Sequence, residues 1–311
     1  MRRLSAALFV CLWFTQAHCA TDYALQPTSV ADGIYVFSGR LENFSRENGG
    51  NIVNTGFIVG SDGVIVIDSG PSRAYAEQQR AAISRVTALP VTRVFVTHAH
   101  PDHFLGNQAY SPQIISALPA TSEAMRTNGD ALADNLYRLV GGWMSGTQVV
   151  LPGIGAAAGR IVVAGRSLRL IAASGHTDCD LMVYDERTRT LFAGDLVFFG
   201  RAPTTPNADV PRWLATLDEI DQLDFATLVP GHGIVMHDHA AVAETRDYLR
   251  WLDQGLKEAA SRGLDMNEVM RLPIPERFKK LALIDGEYAR SIAQLYPQIE
   301  LKSLPALNTG R

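Results

Sequence analysis

The chain has 311 residues, of which 47% are hydrophobic and 19% charged, with a formal net charge of −4. This composition is typical of a folded globular protein, and the acidic balance argues against the basic surface that nucleic-acid binding requires. Lysine occurs only at positions 257, 279, 280 and 302, and three cysteines are too few for a disulfide-stapled scaffold.

The first segment has the pattern of an export signal. Two arginines follow Met1, residues 4–14 form a short apolar run, and residues 15–20 bring small side chains suited to cleavage. The apolar run is shorter than the ~20 residues that a membrane-spanning helix needs. We therefore expect a cleaved signal peptide at residues 1–20 and a periplasmic or secreted mature protein with no later membrane span.

A first group of strands comes next. Runs of β-branched and aromatic residues separated by Gly and Asp turns predict strands at residues 34–38, 55–59, 64–68 and 93–97. An amphipathic segment predicts a helix over residues 75–88, capped by Ser72 and ended by Pro90. Residues 122–139 are predicted to be helical with a break at Gly129.

A second group of strands fills the other half of the chain. They are predicted at residues 160–163, 168–172, 181–184, 190–193 and 227–229. Helices are predicted over residues 211–222 and 240–262, and the tail is predicted to be helical at residues 275–283 and 287–296. Two groups of strands with their helices indicate an α/β fold in which two sheets pack face to face under helices. We expect one domain over residues 21–265 and a C-terminal helical extension over residues 266–311.

Three histidines and an aspartate lie close together directly after the strand that ends at residue 97. The segment reads His98-Ala99-His100-Pro101-Asp102-His103. In extended chain His98 and His100 point the same way, because side chains repeat every second residue. Beyond the turn at Pro101, the last two donors can face a second point nearby. Neutral imidazole and carboxylate are the ligands of catalytic zinc, so the segment predicts a metal site.

Three further donors follow later strands, each beside a glycine. They are His176 in Gly-His-Thr, Asp195 in Gly-Asp and His232 in Pro-Gly-His. Each is a weak signal alone, but together with the first segment and in this order they indicate one metal centre at a sheet edge.

These motifs resemble those of the metallo-β-lactamase-fold hydrolases, which carry H-x-H-x-D-H, then G-H-T, G-D and P-G-H. The resemblance runs from about residue 34 to residue 233, and it implies a four-layer αββα sandwich with a two-zinc site at one edge. Carried over to this chain, it implies a first zinc at His98, His100 and His176 and a second at Asp102, His103 and His232. Asp195 would bridge both ions. Asp68 would support the ligands without binding metal itself.

The resemblance also implies a hydrolytic mechanism. A hydroxide that bridges the zinc ions would attack an ester-, thioester- or amide-like small molecule, and Asp102 would orient it and carry a proton to the leaving group. A single iron in place of zinc is also compatible with these ligands.

Several members of this fold remain as alternatives. A β-lactamase is disfavoured because many of them have Cys where this chain has Asp195. A glyoxalase II-like thioesterase shares the aspartate bridge, and Arg277 and Lys280 could imitate its basic tail, although export argues against a cytosolic glutathione thioester. Flavodiiron proteins carry Glu at the position of His100. Mono-iron persulfide dioxygenases use similar ligands, and a metal or cofactor carrier without catalytic activity is the alternative outside the enzymes.

Residues 51–59, 66–72 and 103–108 are similar to segments of the exported zinc metallohydrolases of quinoprotein relay systems. That resemblance implies an association with periplasmic pyrroloquinoline-quinone dehydrogenases. We also expect the loops at residues 39–50, with Phe44, and 198–209 to overhang the site, and Trp143 to anchor a loop. His237 and His239 are expected to be exposed at a helix start, and Cys179 to be a small buried thiol.

Overall fold

The computed structural model describes residues 22–303 and contains two β-sheets. The seven strands of the first sheet lie in chain order: β1 (Thr28–Ala31), β2 (Ile34–Phe37), β3 (Thr55–Val59), β4 (Val64–Ile67), β5 (Val91–Phe95), β6 (Ile115–Ala117) and β7 (Ile154–Gly155). Neighbours are antiparallel from β1 to β4 and parallel from β4 to β7.

The second sheet contains the remaining five strands. They are β8 (Gly159–Val163), β9 (Arg166–Ala173), β10 (Asp180–Asp185), β11 (Thr190–Phe198) and β12 (Thr227–His232), in the spatial order β12-β11-β10-β9-β8. β11 and β12 are parallel, and the other pairs are antiparallel.

Seven α-helices accompany the sheets in the described part of the chain. They are α1 (Arg73–Val86), α2 (Pro101–Phe104), α3 (Pro119–Val140), α4 (Val210–Asp221), α5 (Ala240–Ser261), α6 (Met266–Val269) and α7 (Ile284–Ser303). The side chain of Ser72 caps α1 by accepting from Tyr75 N, as its sequence predicts.

The burial pattern of the strands explains the layers. Along β4, Val64 and Val66 pack with residues of α1 and α3, whereas Ile65 and Ile67 pack with residues of the second sheet. A third apolar cluster joins the other face of the second sheet to α4, α5 and α7. Two sheets covered by helices on both outer faces form the predicted four-layer αββα sandwich of the α/β class, and this prediction is confirmed.

Two element predictions are wrong. α3 runs unbroken through Gly129, where a side chain would meet Val149 Cγ1 at 2.9 Å. The glycine therefore permits close packing of a neighbouring segment rather than ending the helix. Residues 275–283 form only one 3₁₀ turn, Glu276–Phe278. The backbone of Ala282 instead bonds to Gly200 and Ala202, which takes away the groups that a helix would use.

The predicted signal peptide at residues 1–20 lies outside the described residues. Within residues 22–303, no helix is both long enough and apolar enough to cross a membrane.

Candidate metal centre

The donors come from the ends of strands in both sheets. His98 and His100 follow β5, and the single-turn helix α2 carries Asp102 and His103. The loop after β9 carries His176. His232 is the last residue of β12 rather than lying beyond it. All of these donors except His100 are buried.

Asp195 lies inside a strand, which the sequence did not predict. β11 continues to Phe198, and its pairing with β12 is irregular between Phe192 and Gly194. Gly194 has a φ of +53° at this irregularity, a conformation that glycine adopts without strain. This bulge turns the Asp195 carboxylate toward the histidines.

One group of donors contains His98, His100, His176 and Asp195, whose potential ligand atoms all lie within 4.8 Å of one another. His100 Nδ1 is 3.0 Å from His98 Nε2 and 2.9 Å from His176 Nε2. Three ring nitrogens of this group therefore converge on one point.

A second group contains Asp102, His103 and His232, and its ligand atoms also lie within 4.8 Å of one another. Asp102 Oδ2 is 3.5 Å from His232 Nε2 and 3.8 Å from His103 Nε2.

Asp195 lies between the two groups. Its Oδ2 is 3.3 Å from His176 Nε2 in the first group and 3.2 Å from His232 Nε2 in the second, and its Oδ1 is 3.1 Å from His103 Nε2. The structure thus brings together all seven residues that the sequence nominated, in the two sets that the family resemblance implies, with the shared carboxylate between them.

Hydrogen bonds behind the imidazoles determine which ring nitrogen is free. His232 Nδ1 is 2.7 Å from the carbonyl oxygen of Ile52, and His100 Nε2 is 3.1 Å from Asn207 Oδ1. A carbonyl oxygen only accepts, so each of these ring nitrogens donates a proton. The other nitrogen, which faces the cluster, keeps its lone pair.

Asp68 imposes the same arrangement on two more histidines. It accepts from Thr97 N at 2.8 Å and from Thr97 Oγ1 at 2.9 Å, and it lies 2.8 Å from His103 Nδ1. His103 Nδ1 therefore donates to Asp68. The Thr97 hydroxyl has spent its proton on Asp68, so it accepts from His98 Nδ1 at 3.0 Å. Asp68 thus holds His103 directly and His98 through Thr97, in the position that the family resemblance implies for it, and its backbone has a positive φ of 59°.

Burial sets the charge of the site. Desolvation lowers the pKa of His98, His100 and His176, which keeps these imidazoles neutral. Burial also opposes charge on His103, but Asp195, Asp68 and Asp102 outweigh it and raise the pKa of that imidazole. Although burial alone would raise the pKa of Asp195, His232 and His103 hold it well below its usual range.

These features fit two divalent cations. Convergent lone pairs on neutral imidazoles repel one another unless a cation lies between them. His103 Nε2 and Asp195 Oδ1 are buried 3.1 Å apart, yet they form no hydrogen bond with each other or with any other described group. The ion-pair partners of Asp102 and Asp195 among the described residues are all histidines, so metal ions would supply the missing positive charge.

A cavity of about 340 Å³ opens onto the second group of donors. Its lining includes Asp102, Asp195 and His232, together with Phe44 from the loop at residues 39–50, as predicted. Trp143 does not line this cavity. Its Nε1 donates to Arg46 O, and its ring lies against Gly49, so it anchors that loop.

Some of the further lining or supporting residues matter for the arguments below and were not singled out from the sequence. They are Thr97, Asn207, Arg201, Leu139 and Arg290. Thr97 and Asn207 lie inside segments that the motifs had marked, so their position was the available signal. Leu139 and Arg290 come from helices distant in sequence, where no local pattern indicates a site. Cys179 is only half-buried, and burial raises the pKa of its thiol, which fits an unreactive side chain.

Fold and donor set together define a class of protein. The family model for the metallo-β-lactamase superfamily matches residues 48–232, and the chain belongs to that superfamily.

Three curated proteins are similar to the chain. It is 23% identical over 174 residues to a beta-lactamase-like protein 2 homolog from Caenorhabditis elegans, covering 55% of this chain and 52% of that protein. It is 22% identical to a linear primary-alkylsulfatase from a Pseudomonas strain, covering 76% and 53%. The acyl-coenzyme A thioesterase MBLAC2 of Bos taurus is 26% identical, covering 66% and 79%. The chain thus spans about half the length of the first two.

Solved structures show the same fold. A metallo-β-lactamase from Pontibacter korlensis has a TM-score of 0.58 at 19% identity, covering 73% of this chain and 99% of that one. A variant of the sec-alkyl sulfatase PisA1 has a TM-score of 0.68 at 16% identity, covering 88% and 50%.

Proposed function

We propose that the chain is an exported hydrolase that works with two divalent cations, with zinc as the expected ion. Its substrate would be a small molecule with an ester-, thioester- or amide-like bond. The observation that carries this proposal is the convergence of seven buried or half-buried donors into two adjoining groups that share Asp195.

The donor set is suited to catalysis rather than to a closed structural site. In the second group, only two imidazoles and the carboxylates of Asp102 and Asp195 face the ion, and the cavity gives a substrate access from the same side. Two bound divalent ions would provide a water molecule that ionises near neutral pH and a Lewis acid for the substrate oxygen.

The residues of the chain would do the rest. Asp102 lines the cavity and is almost buried, so its carboxylate can orient a water molecule and carry a proton to the leaving group. Asp68 and Thr97 hold His98 and His103 in the tautomers that leave Nε2 free. Phe44, which also lines the cavity, would exclude bulk water from it.

Two of the curated relatives support ester-type chemistry, since one is named a thioesterase and the other an alkylsulfatase. The similarity to solved β-lactamases is a likeness of fold alone. A carrier that holds metal without turnover is the second candidate, because the donor geometry by itself would serve it as well.

Metal analysis and a substrate panel test the proposal together. We expect two zinc ions per chain and turnover of at least one 4-nitrophenyl ester, thioester, alkyl sulfate or nitrocefin. Asp102→Ala should reduce kcat at least 10²-fold, since it removes the proton carrier, whereas Asp130→Ala on the exposed side of α3 should not. Bound metal with no turnover on any substrate would favour the carrier, and one iron per chain would favour sulfur oxidation.

Export and the quinoprotein association are parts of the same proposal. They rest on the sequence of residues 1–20 and on the resemblance of residues 51–59, 66–72 and 103–108. Fractionation of the producing cell should give a mature protein outside the cytoplasm. A quinoprotein dehydrogenase purified from cells that lack the chain should differ in activity from the same enzyme purified from wild-type cells. Equal activities would contradict the association.

A further inference from the structure

A buried arginine lies beside the metal centre, and the mechanism described above does not use it. Arg201 follows β11, pairs as a bridge with Ala282 and has a relative exposure of 3%, yet its side chain lines the cavity. Its Nη1 is 3.1 Å from His232 Nδ1.

That contact does not satisfy the guanidinium. His232 Nδ1 donates its own proton to Ile52 O at 2.7 Å, so it cannot also accept from Arg201. On the other side, Nη2 reaches Thr204 Oγ1 and Glu287 Oε1, both at 3.4 Å. Nη1 therefore finds no acceptor in His232, and Nε has no hydrogen-bond partner among the described residues, although the side chain lies at the wall of a cavity. A buried cationic donor left in this state favours an acceptor from a ligand.

A second arginine reaches the same wall from the C-terminal helix. Arg290 lines the cavity, and its Nη1 is 3.4 Å from Glu287 Oε1, the atom that also faces Arg201. Glu287 is 1% exposed and lies between the two guanidinium groups. Two cations and one anion leave this wall with a net positive charge, and side chains of Phe44, Ile52 and Leu139 make other parts of the cavity apolar.

We propose that Arg201 and Arg290 form an anion subsite, held in place by Glu287, that receives a carboxylate on the acyl part of the substrate. Resting on the hydrolase function proposed above, this defines the substrate class as esters or thioesters of acids that carry a second, ionised carboxyl group. Arg201 contacts His232 Nδ1, and the donor atom Nε2 lies on the other side of the same ring. The substrate carboxylate bound at Arg201 would therefore lie only a few carbon atoms from the scissile bond. Arg201 lies within the residues 48–232 that the family model matches, whereas Glu287 and Arg290 lie outside them, so the C-terminal helix adds the second half of this subsite.

The test compares two esters that differ only in the terminal carboxylate, 4-nitrophenyl hydrogen glutarate and 4-nitrophenyl pentanoate. The metal-loaded full chain should have a kcat/KM about tenfold higher for the glutarate ester, mainly through KM, as expected for one charge-assisted contact. The ratio should fall toward one in Arg290→Met, fall partly in Arg201→Lys, and persist in Arg250→Met, which removes an exposed arginine of α5.

Binding provides a readout that needs no turnover. Calorimetric titration with glutarate should give a Kd about tenfold higher for Arg290→Met than for the wild-type chain. Equal turnover of the two esters by the wild type, or equal glutarate affinity in the two proteins, would overturn the subsite and leave the hydrolase proposal intact. No turnover of any ester, with glutarate binding that still depends on Arg290, would support the subsite and remove the hydrolase. Turnover of 4-nitrophenyl sulfate but not of the glutarate ester would assign the wall to a sulfate instead and overturn the carboxylate.

Discussion

Gly231 provides the sharpest test of the metal centre, because its missing side chain makes room for the shared carboxylate. A Cβ at this position would lie 1.9 Å from Asp195 Oδ1 and 2.9 Å from Asp195 N. Cβ contacts below 3.0 Å essentially do not occur. The Asp195 carboxylate of the Gly231→Ala variant must therefore move by at least about 1 Å, from 1.9 Å to at least 3.0 Å from the new Cβ. Metal–ligand distances tolerate only about ±0.2 Å.

This displacement exceeds the tolerance of a metal–ligand distance. Because both groups of donors share Asp195, it would affect the binding of both ions. We expect Gly231→Ala to bind at least one fewer of the two proposed metal ions than the wild type, and to show the proposed hydrolase activity at a rate at least 10²-fold lower. Overpacking should also cost about 1–3 kcal/mol of unfolding free energy.

Plasma emission spectroscopy of the dialysed protein measures the metal content, and steady-state kinetics measures the rate. Gly255→Ala is the matched control, since a Cβ there meets nothing within 4 Å on α5 and alanine favours the helix. A Gly231→Ala protein with two ions and wild-type turnover would refute the inference that Asp195 bridges the two groups of donors.

Three further predictions concern buried charged side chains. Burial raises the pKa of Asp180 from 3.8 to about 7, so between these values the folded state holds a proton that the unfolded state releases. The free energy of unfolding should therefore fall as the pH rises from about 4 to 7. In urea titrations Asp180→Asn should remove that slope, whereas the exposed neighbour variant Asp178→Asn should retain it. Arg166 donates to both carboxylate oxygens of buried Asp185 at 2.9 and 2.7 Å. Arg166→Met should lower the free energy of unfolding by about 3–5 kcal/mol, and the double variant Arg166→Met with Asp185→Leu should recover part of that loss. Equal stability of Arg166→Met and the wild type would contradict the pairing. Asp68→Asn should weaken metal binding about 10–100-fold in competition with a chromogenic chelator, and an unchanged affinity would show that Asp68 does not orient His103.

The sequence predicted the donors better than it predicted their surroundings. His98, His100, Asp102 and His103 are close in sequence, so their spacing alone placed them together. His176, Asp195 and His232 were found because each stands beside a glycine at or after the predicted end of an apolar strand, and strand ends meet at one edge of a sheet, although β11 in fact continues past Asp195 to Phe198.

Other parts of the site could not be predicted from short sequence motifs. The proton acceptor of His232 is a backbone oxygen, that of Ile52, and a backbone group carries no residue-type signal. Arg201 and Arg290 form one site only because Glu287 lies between them. Glu287 is distant from Arg201 in sequence, and packing of α7 brings the two together. For the same reason Gly129 was misinterpreted, because its neighbour Val149 belongs to a separate loop.

Asn54, in the first half of the chain, holds the end of β12 that carries His232, and its partner Pro230 is 176 residues away in sequence. Its Nδ2 donates to the carbonyl oxygens of Pro230 and Gly233 at 2.9 and 2.7 Å, on either side of His232. The Pro-Gly-His end of β12 is thus held by the opposite half of the chain, and no fragment that lacks either half can position His232. Metal capture by the second group should consequently be one of the last events of folding, and the rate of ion uptake by a refolding chain would report when the two halves have joined.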